Sequence, residues 1–264
     1  MRRLLATIRR LALSAAAVQA RQQQPAPGGA KLVDEFGDIL VTDWLARLDS
    51  FAVELHNDPG LTGYVVAYMA PNKSPGWPLR RSQWARGYLI TARGFDEGRV
   101  QVVNAGHRDE HLYQLWVVGP GGQLPVAPFD YGAALAREKR AYLFDRYPYY
   151  VIDPDKTDIS DGYIGYLDEK GFYAPFAEAL RQDPSARGCV IAYATRRQRR
   201  GSDRLLAGRV KLGVLKHHAL GADRVVALGG GRRPERFVEL WIVPPGAELP
   251  KPTPAAPPAP RKRR

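Results

Sequence analysis

Part of this chain is written twice, at a constant spacing of 125 residues. Phe51-Ala52, Leu55, Asp58-Pro59, Gly63, Val65 and Ala67-Tyr68 recur as Phe176-Ala177, Leu180, Asp183-Pro184, Gly188, Val190 and Ala192-Tyr193. The spacing persists downstream. Arg99-Val100, Gly106, Glu110, Leu115-Trp116 and Leu124-Pro125 recur as Arg224-Val225, Gly231, Glu235, Leu240-Trp241 and Leu249-Pro250. A fixed period of this length means that one structural unit was used twice. Each copy, roughly ninety residues long, can bury a core without metals or disulfides.

The first copy reads as alternating elements. Thr42 or Asp43 is placed to cap a helix whose apolar face is Leu45, Leu48, Phe51, Ala52 and Leu55, and Asp58-Pro59-Gly60 stops it. Tyr64 to Tyr68 is a short apolar run suited to a buried strand. A second helix is expected from about Leu79 to Arg93, followed by a hairpin of Arg99–Val103 and Leu112–Val118. The second copy repeats this order. Extended stretches around Leu32–Phe36 and Tyr149–Ile152 add a strand before each first helix. The prediction is two tandem β-α-β-α-β-β modules of α+β or α/β class, each a mixed sheet with two helices on one face.

This divides the chain into a first module over 31–125, a linker over 126–148 and a second module over 149–250. The linker contains a candidate helix from Ala133 to Arg146. Tyr147, Tyr149 and Tyr150 follow it and read as aromatics that pack one module onto the other. The Pro-rich tail over 251–264 has too few apolar groups to fold and is expected to be disordered.

Residues 1–20 have the order of a secretory leader: Arg2, Arg3, Arg9 and Arg10, then an apolar run from Leu11 ending in Val18-Gln19-Ala20. A flexible Gln/Pro/Gly lead-in over 21–30 follows. The expected location is therefore periplasmic or envelope-associated, with no transmembrane segment in the mature chain. The formal net charge is +12, but four arginines in 1–20 and five cations in 251–264 leave only +3 for the body. A nucleic-acid footprint belongs on the folded surface, so no nucleic-acid partner is expected.

Few residues present themselves as chemical machinery. The single cysteine, Cys189, sits in an apolar run and reads as a small buried hydrophobe. His107 and His111 align with Arg232 and Arg236, which points to an exposed polar loop and away from a metal site. Gly229-Gly230-Gly231 lies between hairpin strands and reads as a turn. The run Asp153, Asp155, Asp158, Asp161 fails the EF-hand register. No cofactor and no catalytic residue is assigned. One polar feature recurs: Arg108 and Glu110 match Arg233 and Glu235, where the pair either closes a turn or engages a ligand. The loop Arg196-Arg197-Gln198-Arg199-Arg200 is suited to an anion, but the first copy has Pro71-Asn72-Lys73-Ser74 there. Any such role belongs to the second copy alone.

Arg86-Gly87-Tyr88-Leu89 through Gly94-Phe95-Asp96-Glu97-Gly98-Arg99-Val100, and the weaker Val210 through Leu220-Gly221-Ala222-Asp223-Arg224-Val225, carry a resemblance. With the element order and the leader, they resemble the OmpA-like C-terminal domain, a periplasmic peptidoglycan-associated module. That family holds the wall peptide with a Thr-Asp after the central strand and an arginine on the second helix. Here Met69-Ala70-Pro71 and Ala194-Thr195-Arg196 follow that strand, so neither copy has the aspartate. Arg81 stands in the arginine place of the first copy, and Leu206 in that of the second. The resemblance implies an exported, non-enzymatic envelope protein that contacts a cell-wall polymer or another envelope protein. Two alternatives stay open: a protein–protein scaffold without wall binding, and an enzyme with an unfamiliar site.

Overall fold

The computed structural model describes residues 29–71, 76–135, 140–149 and 168–254. The leader, the acidic run from Asp153 to Asp161 and the tail beyond Pro254 lie outside the described residues. The first copy comprises β1 (Ala30–Phe36), α1 (Val41–Asn57), β2 (Thr62–Met69), α2 (Gly76–Thr91), β3 (Val100–His107) and β4 (Leu112–Val118). After a short α3 (Tyr131–Leu135) the second comprises β5 (Tyr142–Pro148), α4 (Glu169–Gln182), β6 (Arg187–Ala194), α5 (Ser202–His218), β7 (Val225–Arg232) and β8 (Phe237–Val243). The two sheets have the same strand order, β1-β4-β2-β3 and β5-β8-β6-β7. In each, the second strand runs parallel to the third and antiparallel to the fourth. The expected pair of β-α-β-α-β-β modules is the observed architecture, but the expected hairpin is not. β3 and β4 do not pair, because β2 inserts between them, parallel to one and antiparallel to the other, and β6 does the same between β7 and β8. Among the described residues, no helix is long and apolar enough to cross a membrane.

Strand alternation explains how each module closes. Val65, Ala67 and Met69 of β2 and Tyr113, Leu115 and Val117 of β4 point to the helices. There they meet Trp44, Leu48, Phe51 and Leu55 of α1 and Leu79, Trp84 and Leu89 of α2. Helix and sheet approach closely at one repeated glycine. A Cβ on Gly63 would lie 2.8 Å from Leu55 and 3.0 Å from Phe51; on Gly188 it would lie 2.9 Å from Phe176 and 3.0 Å from Leu180. The duplicated Phe, Leu and Gly are thus one packing device, used twice.

The duplicated arginine is a second device. Nη2 of Arg99 donates to the carbonyls of Leu55 (2.8 Å), Asp58 (3.1 Å) and Leu61 (3.0 Å). Nη2 of Arg224 donates to those of Leu180 (2.6 Å), Asp183 (3.1 Å) and Ala186 (3.0 Å). Each cation joins a carbonyl of the last turn of its module's first helix, the C-cap carbonyl and one from the turn beyond, at a helix end where positive charge is favourable.

Several boundaries differ from the sequence reading. Of the helix expected over Ala133–Arg146, the described residues hold a helix only at Tyr131–Leu135, and Tyr142–Pro148 is a strand. Of the strand expected around Tyr149–Ile152, residues 150–152 lie outside the described residues. Phe144 and Tyr147 are both 1% exposed, so core packing overrides the helix-favouring Ala, Leu, Lys and Arg composition. Leu40, without a side-chain bond, is the N-cap of α1, in place of Thr42 or Asp43. The modules also run past 125 and 250. Phe129 N donates to Asn104 O at 2.7 Å, and the Phe129 ring lies against Gly106 (φ 86°). In the second copy Pro254 lies against Gly231 (φ 84°), and Thr253 N donates to Tyr193 Oη at 3.1 Å. The segment expected to be tail from Lys251 therefore begins as an arm held on the sheet.

The two modules share one apolar core. At their junction Arg80 of α2 meets Asp145 of β5, with Nε–Oδ2 at 2.6 Å and Nη2–Oδ1 at 3.3 Å; both side chains are 2% exposed. The guanidinium also lies over the rings of Phe172 (4.8 Å) and Tyr147 (5.2 Å). Tyr147 thus packs module on module as expected. Gly76 makes the approach feasible, since a Cβ there would fall 2.1 Å from Asp145 Cγ.

Two stability predictions follow from these contacts. Arg80→Met leaves a buried carboxylate without its cation, and about 3–5 kcal/mol of stability is lost. Arg80→Met with Asp145→Leu recovers most of it, read as the urea midpoint of both modules unfolding in one transition. Arg224→Ala lowers stability by about 2–3 kcal/mol through its lost carbonyl bonds, measured in the same way.

Candidate functional site

The packing of α2 against α4 leaves a cleft of about 300 Å³ to which both modules contribute. Its apolar wall is Leu79 of α2, Val102 of β3, Phe129 of the first arm and Pro175 of α4. The polar rim belongs to the last turn of α4. Arg181 donates through Nε (3.1 Å) and Nη2 (2.7 Å) to Glu178 Oε2, and both side chains are about half exposed. Gln182 Oε1 accepts from Tyr131 N at 3.0 Å, which ties the rim to α3. Asn104 Nδ2 donates to the Tyr131 hydroxyl at 2.9 Å. Burial, joined by the nearby Tyr142, pushes that phenol well above its ordinary range despite the Asn104 bond, so it stays a neutral donor.

A recess of this size is at the lower end of small-ligand sites. Its apolar wall suits one side chain, and its rim offers an ion pair and an amide for flanking polar groups. The arrangement is suited to binding. Among the described residues, no group of three His, Cys, Asp or Glu side chains is placed to hold a metal.

The residues singled out in the sequence are dispersed. Arg81 is 7% exposed, donates to Ile39 O at 2.7 Å and lies over Trp44 at 5.5 Å. It serves the packing of α2 and does not face an open ligand site. Arg108 lies over the Tyr68 ring at 4.3 Å, and Glu110 is exposed at the turn. Arg233 lies over the Tyr193 ring at 3.7 Å, but its carboxylate partner is Glu239 (3.0 Å), which corrects the expected pairing with Glu235. Glu235 is solvated at the turn. Glu239 is 7% exposed, so its charge requires the nearby cation. It also accepts from Tyr193 Oη (3.1 Å) and Trp241 Nε1 (3.2 Å). The first copy replaces it with Gln114, which accepts from Trp116 Nε1 at 2.9 Å. A neutral amide needs no arginine, and this leaves Arg108 stacked on Tyr68.

His111 also departs from the exposed-loop expectation. It is 4% exposed, and Nδ1 accepts from Ala70 N at 3.0 Å, fixing the end of β2. His107 lies against Phe129 at 5.3 Å, and burial lowers its pKa. Cys189 is fully buried, and burial pushes its thiol up to about 12. This matches the reading of a packing residue. Comparison with family models gives no match, and comparison with curated proteins gives none either.

The thiol gives a direct test of this burial. At neutral pH a disulfide reagent such as 5,5′-dithiobis(2-nitrobenzoate) leaves Cys189 unmodified in the folded chain, and it modifies one thiol per chain in denaturant, followed by absorbance.

Proposed function

We propose that this chain is an exported, non-enzymatic interaction protein of the cell envelope, whose two modules act as one binding unit with the cleft between them as the ligand site. The observation that carries the reading is the cleft itself, built jointly by α2, the first arm and α4. A tandem of independent beads has no such shared recess. The leader pattern and the resemblance to the OmpA-like module support the envelope setting, and they make a cell-wall polymer the first ligand to try. The mode differs from that family's usual clamp. Neither copy has the clamp aspartate, and Arg81 is committed to Ile39 and Trp44. Recognition then falls to Glu178, Arg181 and Gln182, with an apolar group of the ligand against Leu79 and Pro175.

Co-sedimentation with purified sacculi tests this. The chain is retained at moderate salt above an unrelated protein of equal net charge, and Arg181→Glu lowers retention about tenfold, the effect of one charged contact. Both rim side chains are about half exposed, so the variant keeps its fold. Retention no greater than that of the control overturns the wall reading. Retention unchanged by Arg181→Glu removes the cleft from it.

A further inference from the structure

The two copies place equivalent helices in opposite surroundings. α2 is covered by the second module, whereas none of the described residues covers the outer face of α5. The position of buried Arg80 is taken in α5 by Leu205, which is 77% exposed. Leu212, two turns on, is 66% exposed. Leu205, Arg209, Leu212 and Lys216 follow the i, i+4, i+7, i+11 spacing of one helix face, and all four are exposed. Large exposed leucines on one stripe, set between cations, are the composition of a surface that rests in a lipid headgroup layer.

The arginine loop leads directly into the N-terminus of this helix. Arg196, Arg197, Arg199 and Arg200 are exposed, as is Arg204 at the start of α5. Among the described residues, Arg197, Arg199 and Arg200 have no carboxylate within ion-pair distance. The single acid of α5, Asp203, accepts from Gly231 N at 2.9 Å. The loop is held by other groups. Arg232 Nη1 donates to the carbonyls of Thr195 (2.6 Å) and Gln198 (3.0 Å), and Gln198 Oε1 accepts from Thr195 N (2.9 Å). The guanidiniums of Arg197, Arg199 and Arg200 are therefore not needed to make the turn. The first copy is an internal control, since it connects β2 to α2 through Pro71-Asn72-Lys73-Ser74-Pro75, with one cation. Four like charges within five residues repel one another, and a dense array of phosphates relieves this, with guanidinium forks suited to bind them.

We propose that the arginine loop 196–200 and the outer face of α5 form a docking surface for an anionic phospholipid bilayer. The arginines engage headgroup phosphates, and Leu205 and Leu212 enter the interface. The inference is independent of the cleft and of the wall reading, and its test contains no wall material.

Flotation of the full chain with vesicles decides it. The chain binds phosphatidylcholine vesicles containing an equal share of phosphatidylglycerol and does not bind phosphatidylcholine alone. Arg197→Ala, Arg199→Ala and Arg200→Ala together lower binding roughly 100-fold, since each cation at an anionic surface contributes about fivefold. Leu205→Ser with Leu212→Ser lowers it about tenfold, from lost apolar burial. All five side chains are exposed, and unchanged circular dichroism and melting confirm folding. Neutralising Arg261, Lys262, Arg263 and Arg264 to serine leaves most of the binding in place. The proposal is overturned if binding follows those tail residues and not the loop. It is also overturned if inorganic phosphate releases the chain where chloride of equal ionic strength does not, since this marks a discrete anion site. A dimer abolished by the leucine pair, without vesicle binding, overturns it in favour of a second copy on this face.

Discussion

The buried ion pair of Arg80 and Asp145 is the contact on which the arrangement of this molecule rests. Neither charge is tolerable alone in the core, because desolvation costs several kcal/mol per ion. The carboxylate is further satisfied by Arg146 N at 2.8 Å, and the guanidinium is enclosed by Tyr147 and Phe172. Such a pair adds little net stability over an apolar equivalent, but it penalises every other docking of α2 on β5. Gly76 narrows the choice again, since it leaves room for the carboxylate only when the helix start lies directly against it. The position of α2 against α4 follows from this contact, and so does the cleft beside them.

Duplication supplied the frame, and divergence distributed the work. The retained positions are those that close a module: Phe51/Phe176, Leu55/Leu180 and Gly63/Gly188 in the helix–sheet contact, and Arg99/Arg224 on the helix carbonyls. The diverged positions face outward or across the junction. α2 became an internal helix, and α5 kept Leu205 and Leu212 exposed beside a basic approach. The Glu239 network shows the same logic on a small scale. Where an acid replaced Gln114's equivalent, an arginine, a tyrosine and the arm at Thr253 gathered around it.

The element order and the core were legible because apolar periodicity repeats, and two readings of one pattern check each other. Legibility ended where the copies stop agreeing. Strand β5 was misplaced because equivalent residues of β1 and β5, such as Leu32 opposite Trp116 and Leu143 opposite Trp241, are 111 residues apart, so the 125-residue shift does not reach it. Arg80 left a trace that sequence reasoning passed over: a charge at a site where the other copy has leucine. Glu239 was missed for the same reason, since its counterpart is an amide. The cleft had no local signature at all, because its walls come from residues about a hundred positions apart and meet only through tertiary packing.

The exchange of Arg80 for Leu205 also bears on how such a gene can change. Two stretches of similar sequence invite recombination, which would fuse, swap or multiply the copies. The product inherits a leucine where the junction with the following strand requires a guanidinium, or an arginine on a face with no aspartate to receive it. A product of such an exchange lacks the buried ion pair at the junction, so the order of the two halves has a chemical consequence at Arg80 and Asp145.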